Sequence, residues 1–166
     1  HGYTAKRFGC EVRDMGIMLL VLFPVPYVDA SASAGLASKW QRAGVAAAGI
    51  IVELTLAAIA ALVWAQAEPG LLRAVAFNVM LIGGVSTVII NGNPLLRFDG
   101  YFVLSDITEV PNLAQRSTRY FGDLINRHVF RVPGLAPFTA TGHERLVMLL
   151  YAPLGWCYRL LVMSAD

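Results

Sequence analysis

The stretch AGVAAAGIIVELTLAAIAALVWA, residues 43–65, decides the fold class of this chain. It carries one charged residue, Glu53, and is long enough to cross a hydrocarbon layer of about 30 Å as an α-helix. Its first half is rich in alanine and glycine, which allow neighbouring helices to pack closely. A second apolar stretch, residues 71–90, follows after a short turn. The two stretches predict a pair of transmembrane helices.

The composition excludes an ordinary soluble domain. Hydrophobic residues make up 57% of the chain and charged residues 14%, whereas a soluble domain has about 25% charged residues. A third apolar run, residues 146–163, contains Pro153 and Gly155 as interruptions, and we expect it to be a further span. The net charge of +2 gives no reason to expect a nucleic-acid partner. The expected partner is the lipid bilayer.

The distribution of cations predicts the orientation of the chain in the membrane. One group of Lys and Arg precedes the first span and another follows the second, so both lie on the same face, while the intervening loop holds only Arg73. The positive-inside rule assigns the cation-rich face to the cytoplasm. We therefore expect residues 107–145 to be a polar cytoplasmic segment and residues 146–166 to be a C-terminal apolar span.

A shorter apolar segment, MGIMLLVLFPVPYV at residues 15–28, differs from these spans. It is too short for a spanning helix, and Pro24 and Pro26 prevent a regular helix in its second half. We expect a membrane-dipping hairpin, which must lie against protein or a hydrated cavity. The predicted fold is an all-α membrane protein with about three transmembrane helices and this apolar hairpin, as part of a larger polytopic core.

The segment NGNPLLRFDG, residues 91–100, follows directly on the second span and is the most informative for function. An ionisable group such as Asp99 at the edge of an apolar layer is a candidate functional residue. Its companions, which could bind substrate or shape the site, are Asn91, Asn93, Pro94 and Gly100. Simpler interpretations remain: Asp99 could cap the next segment, and the Asn and Pro residues could merely end a helix.

The pattern N-x-x-P-x-x-x-F-D-G resembles the second signature of the site-2 protease family of intramembrane zinc metallopeptidases. In that family the Asp is the third protein ligand of a catalytic zinc ion, which implies that role for Asp99. The opening residues HGYTAKRFG resemble the continuation of the family's H-E-x-x-H helix, with His1 as the second His. The resemblance thus implies zinc as cofactor, with His1 and Asp99 as metal ligands. It places the first His and the general-base Glu upstream of residue 1.

A weaker similarity lies at residues 39–53, which resemble the second core helix of the family, usually marked A-G-P-x-x-N. Here Ile50 replaces the Pro and Glu53 replaces the Asn. The role of Glu53 therefore stays open between a hydrogen bond to a neighbouring helix and a place in the lining of a cavity. The resemblance covers roughly residues 1–106 and is greatest to a bacterial branch of peptide zinc metalloproteases that is often associated with secretion-adaptor modules.

The resemblance implies a truncated zinc metalloendopeptidase, inactive alone, from the inner (cytoplasmic) membrane of a bacterium. Residues 1–106 would be a partial metallopeptidase core, and the parent protein would hydrolyse membrane-anchored or exported peptides. The alternative is a non-catalytic membrane module of a peptide export or maturation complex. We expect Asp29 to cap a turn. We expect two pairs of side chains to take no part in the site: the solvated His128 and His143, and the thiols Cys10 and Cys157.

Overall fold

The computed structural model describes residues 1–20, 23–130 and 138–164, and it is mostly helical. The helices of the described residues are α1 (Gly2–Arg7), α2 (Lys39–Gln66), α3 (Leu71–Leu81), α4 (Asp99–Thr108), α5 (Leu113–His128) and α6 (Gly142–Met163). Helix α3 continues as a π-helix, Ile82–Asn91, and a short 3-10 helix covers Ser31–Gly35. The strands are β1 (Met15–Leu20) and β2 (Phe23–Val28).

Three helices of the described chain are long and apolar enough to cross a membrane: Lys39–Gln66, Leu71–Asn91 and Gly142–Met163. They agree with the predicted fold class at this level. Helix α6 begins earlier than the predicted run at residue 146, because Thr141 and Glu144 form a capping box at its start. Pro153 lies inside α6 without ending it, so the expected interruption does not divide this helix.

Residues 15–28 form the predicted hairpin, and its two arms are β-strands. Strands β1 and β2 pair antiparallel, with Met15 opposite Val28 and Ile17 opposite Pro26. The turn residues 21 and 22 lie outside the described residues. Most of the apolar side chains of β1 are exposed, as shown by Ile17 at 72%. Entry of the hairpin into a membrane stays a prediction.

The chain forms two compact units, His1–Leu104 and Ser105–Asp166. In the first unit, α2 packs against α3 and against the π-helix. Small residues allow this approach: a side chain added at Gly83 would meet Ala57 Cβ at 3.6 Å. The first unit contains every residue that the sequence predicts for the site.

In the second unit, α5 packs against α6. Leu113 of α5 and Met148 of α6 are fully buried, and Arg116 forms an ion pair of 3.0 Å with Glu144. The sequence predicted only a polar segment over residues 107–145, whereas Leu113–His128 within it form the amphipathic helix α5. Residues 131–137 lie outside the described part of the chain.

Candidate metal centre

The side chains of His1 and Asp99 meet in the first unit. His1 immediately precedes α1 and Asp99 is the first residue of α4, and their Nε2 and Oδ2 atoms are 3.3 Å apart. The two side chains are 28% and 26% exposed, so the contact is partly shielded from solvent. The structure therefore brings together the two residues that the sequence nominates as metal ligands. Their binding of a metal stays a prediction.

A second contact sets the orientation of the His1 ring. Its Nδ1 atom lies 2.7 Å from the backbone carbonyl oxygen of Val45 in α2. Because a carbonyl oxygen only accepts, Nδ1 carries the proton and donates it. In the neutral ring, Nε2 then turns a lone pair towards the Asp99 carboxylate. Two such acceptors need a proton or a metal ion between them, and the proton can belong to Nε2 or to the Asp99 carboxyl group.

The distance between these two atoms fits a metal ion. Zinc binds imidazole nitrogen at about 2.0–2.1 Å and carboxylate oxygen at about 2.0–2.2 Å, so at a tetrahedral angle the two donors lie roughly 3.3–3.5 Å apart. The observed separation of His1 Nε2 and Asp99 Oδ2 is 3.3 Å. The hydrogen bond from the other ring nitrogen to Val45 matches the way in which metal-bound His residues are usually oriented. An imidazolium–carboxylate pair would fit the same distance.

Gly49 provides the space in which the two side chains meet. A Cβ atom built on Gly49 would overlap Asp99 Oδ2 and would lie 2.7 Å from His1 Nε2. The backbone of α2 is therefore one wall of the site, and any larger residue here would separate the two side chains. The sequence marked Gly49 only as a small packing residue.

Glu53 lies one helical turn beyond Gly49 and forms a second polar cluster. Its Oε2 atom accepts hydrogen bonds from the Thr87 hydroxyl and from Asn91 Nδ2, the latter at 2.8 Å. The sequence left Glu53 open between a helix-to-helix hydrogen bond and cavity lining. The structure shows the hydrogen bond, and Glu53 also lines a groove with Leu56 and Val75. The amide of Asn91 thus contacts Glu53. The sequence did not single out Thr87, which is buried in the π-helix.

The turn between the π-helix and α4 contains the other predicted site residues. Asn93 Oδ1 accepts a hydrogen bond from the Leu95 backbone at 2.9 Å, and Pro94 is part of the same turn. A Cβ atom built on Gly100 would overlap the carbonyl oxygen of Gly92. Only glycine fits where these two backbone segments touch, and this contact places Asp99 at the start of α4.

The carboxyl group of Asp99 has an unusual environment for an Asp residue. Its partial burial, followed by the nearby negative charge of Glu53, raises its pKa above the ordinary value. The pKa of Asp29, which lies outside the apolar helices, shifts in the opposite direction. Hydrogen bonds from Ser31, including one from the backbone at 3.0 Å, lower the pKa of Asp29 and give it the predicted turn-capping role.

The described residues include no complete set of zinc ligands. Among residues 1–20, 23–130 and 138–164, no group of three or more His, Cys, Asp or Glu side chains could hold a metal ion. His128 and His143 are exposed, and Cys10 and Cys157 form no disulfide. His1 and Asp99 would therefore need at least one further ligand from residues outside this described set.

The hydrogen-bonding pattern of the hairpin determines what its edges offer. The Asp29 backbone N–H donates to the Asp14 carbonyl at 2.8 Å, so these residues form a hydrogen-bonded pair at the open end. Hydrogen-bonded and non-hydrogen-bonded pairs alternate along antiparallel strands. Ile17 and Pro26 therefore form a non-hydrogen-bonded pair. The backbone polar groups of such residues point away from the partner strand.

The two outer edges of the hairpin consequently differ. Pro24 and Pro26 both face outwards on β2, and because proline has no N–H, that edge lacks two donors. On β1 the outward residues Ile17 and Leu19 keep theirs, and they are 72% and 73% exposed. A third strand could therefore pair fully with β1 but only poorly with β2.

No family model, no curated protein and no solved structure matches this chain. The function must therefore be argued from the residues and contacts described above.

Replacing Gly100 by Ala should destabilise the protein. The added methyl group would overlap the Gly92 carbonyl and force the backbone apart, and such overpacking costs about 1–3 kcal/mol. Gly122→Ala in α5 is the matched control, because nothing lies within 4 Å of its added methyl group. We expect the control to be neutral or slightly stabilising. Denaturant unfolding in detergent measures both variants, and equal stability would refute the close contact at Gly100.

Proposed function

We propose that this chain forms the metal-binding part of an intramembrane zinc metalloendopeptidase of the site-2 protease type. The observation that supports this most is the 3.3 Å approach of His1 Nε2 to Asp99 Oδ2, with His1 Nδ1 bound to the Val45 carbonyl. This combination of donor types, distance and ring orientation is what a tetrahedral zinc site requires.

The residues of this chain would hold and orient the metal ion, while other residues would carry out proton transfer. His1 and Asp99 would be two of three protein ligands, leaving a fourth position open for water. A bound zinc ion supplies a water of lowered pKa and polarises the substrate carbonyl. The Val45 carbonyl keeps the His1 ring in the tautomer that leaves Nε2 free for a metal. The remaining His and the general-base Glu would come from an H-E-x-x sequence ahead of His1.

A membrane location for the reaction is consistent with the fold. Three helices of the described chain could cross a membrane, and the site lies where the second of them ends in a turn at residues 92–98. Water must reach a hydrolytic zinc site, and irregular backbone within a membrane protein can line a hydrated pocket. We propose the cytoplasmic membrane of a bacterium as the location, with secretion-adaptor modules as further partners.

The substrate would be an extended peptide from a membrane-anchored or exported protein. Strand β1 is the edge that such a peptide would join, because its outward N–H and C=O groups at Ile17 and Leu19 can pair with another strand. The Pro residues of β2 exclude pairing of the same quality on the other edge. Pairing with β1 would hold a substrate in an extended form, which exposes its peptide bonds.

A second candidate is a non-catalytic membrane module of a peptide export complex. The observation in its favour is that no group of three or more His, Cys, Asp or Glu side chains among the described residues could hold a metal ion. Whether an H-E-x-x sequence precedes His1 in the full-length protein decides between the two functions. An H-E-x-x sequence there supports the enzyme, and a sequence without the Glu supports the module.

Replacing Asp99 by Asn should remove zinc from the full-length protein. The amide keeps the size of the side chain and loses the charge. Loss of a residue that only supports a metal ligand costs about 10–100-fold in metal affinity. We therefore expect the loss of a ligand to lower zinc affinity at least about 100-fold. Asp29→Asn is the matched control, because Asp29 only caps a turn. Metal analysis and competition with a chelator measure the effect. Unchanged zinc content in the Asp99 variant would exclude Asp99 as a ligand.

Replacing Gly49 by Ala should also weaken zinc binding, here by crowding. The new methyl group would occupy the place where Asp99 and His1 meet, so we expect affinity to fall at least about tenfold. Gly44→Ala on the same helix is the control, because its methyl group would lie 3.7 Å from the Phe8 ring, an ordinary contact. Equal affinity of the two variants would contradict the proposed position of the metal.

Replacing Ile17 by Pro should reduce peptide cleavage. Proline removes the outward N–H of β1 without removing a hydrogen bond between β1 and β2. We expect kcat/KM to fall about tenfold, which corresponds to one hydrogen bond of about 1.4 kcal/mol. Ile17→Ala, which shortens the side chain and keeps the N–H, is the control. Equal loss in both variants would mean that side-chain contacts, and not strand pairing, bind the substrate.

A further inference from the structure

The polar contacts of the first unit lie along one face of α2. Val45, Gly49 and Glu53 follow each other at intervals of four residues, which places them on the same side of the helix. Val45 binds the His1 ring and Gly49 makes room for the His1–Asp99 contact. Glu53 completes this row, and its hydrogen bonds go to Thr87 and Asn91 instead of to the candidate ligands His1 and Asp99. Its function must lie in the groups that it does bind.

Both hydrogen-bond donors to Glu53 belong to the π-helix. The Thr87 hydroxyl and the Asn91 amide reach the same carboxylate oxygen. Thr87 is 1% exposed, so its hydroxyl would lose its partner without access to water if Glu53 were absent. Leaving a buried polar group unpaired costs about 1–3 kcal/mol. The carboxylate therefore ties the end of the π-helix to α2.

A continuous set of contacts leads from this tie to Asp99. The Gly92 N–H donates to the Thr87 carbonyl at 2.6 Å, so the residue after Asn91 is fixed to the same turn. The Gly92 carbonyl in turn lies against Gly100 so closely that no Cβ would fit between them. Gly100 is covalently next to Asp99. A shift of the π-helix end relative to α2 would therefore move Asp99 relative to His1, which α2 holds through Val45.

We propose that Glu53 is a positioning residue that holds Asp99 opposite His1 by anchoring Thr87 and Asn91 to α2. This inference rests on the proposed function for its metal-binding consequence. Its structural part, the placement of the segment from Gly92 to Gly100, is independent of any metal. If Glu53 only joined two helices, its loss would lower stability without changing the site. If Glu53 is a positioning residue, its loss should also alter the geometry of the His1–Asp99 site, to which it forms no hydrogen bond.

Two substitutions of Glu53 separate positioning from simple packing. Glu53→Gln keeps an oxygen that can accept from both Thr87 and Asn91, whereas Glu53→Ala removes it. We expect zinc affinity of the full-length protein in detergent to stay within about threefold of wild type in the Gln variant and to fall at least about tenfold in the Ala variant. Thr55→Ala is the control, because the Thr55 hydroxyl bonds only to Ile51 within the same helix.

Cobalt supplies a readout of geometry that stability alone would not change. The visible spectrum of the Co²⁺-substituted protein depends on the arrangement of the ligands. We expect the spectra of wild type, Thr55→Ala and Glu53→Gln to coincide and that of Glu53→Ala to differ. If Glu53→Ala does not fold, Thr87→Val, which keeps the shape and removes one donor, replaces it and should show a smaller change in the same direction.

Amide hydrogen exchange without metal completes the test. We expect Gly92 to Gly100 to exchange at least about tenfold faster in Glu53→Ala than in Thr55→Ala, which corresponds to a loss of about 1.4 kcal/mol of local stability. Unchanged exchange together with unchanged zinc affinity would overturn the positioning role. If wild type binds no zinc, the proposed function falls, and the exchange result alone decides the role of Glu53.

Discussion

The contact of His1 with the Val45 carbonyl, across the bare backbone of Gly49, is the constraint on which the site depends. A backbone carbonyl inside an apolar helix is normally covered by the side chain one turn later. At that position this helix has Gly49, so the imidazole can reach the carbonyl and the Asp99 carboxylate can reach the imidazole. Helix α2 thereby contributes a hydrogen-bond acceptor at Val45, a space at Gly49 and an anchor at Glu53 along a single face.

The break in the second span provides the other half of the site. Polar groups exposed where a helix ends in an apolar environment need partners. Glu53 accepts from Thr87 and Asn91, and Asn93 accepts from the backbone of Leu95. The polar residues around the break therefore satisfy one another, and the carboxylate of Asp99 remains directed at His1. Asn91 and Asn93 bind other groups, so Asp99 is the predicted site residue of this segment whose side chain contacts His1.

The hairpin shows a related use of proline. Pro24 and Pro26 lie at positions where a backbone N–H would have pointed outwards, so strand pairing with β1 is intact while the outer edge of β2 is poor in donors. An exposed apolar hairpin with two open edges would invite unspecific strand addition. With one edge impaired, an added strand would pair better with β1 than with β2.

Much of this molecule follows from local sequence properties. Residues 43–65 and 71–90 were recognisable as spans because length and hydropathy alone decide whether a helix can cross a membrane, and Pro24 and Pro26 excluded a helix in the hairpin. His1 and Asp99 were nominated by motif resemblance, since each motif is written in consecutive residues. The amphipathic helix α5 was missed because its many charges resemble those of a polar loop, although Leu113, Phe121 and Leu124 recur at helical spacing. Only the structure shows that this face packs against α6.

The sequence by itself determined the helices that are long and apolar enough to span a membrane, the hairpin and the identity of the two candidate ligands. Only the tertiary structure decided that those ligands meet, that Gly49 makes room for them, and that Glu53 binds Thr87 and Asn91. The physical reason is separation along the chain: hydropathy and turn chemistry act over a few residues, whereas these contacts join residues that packing alone brings together.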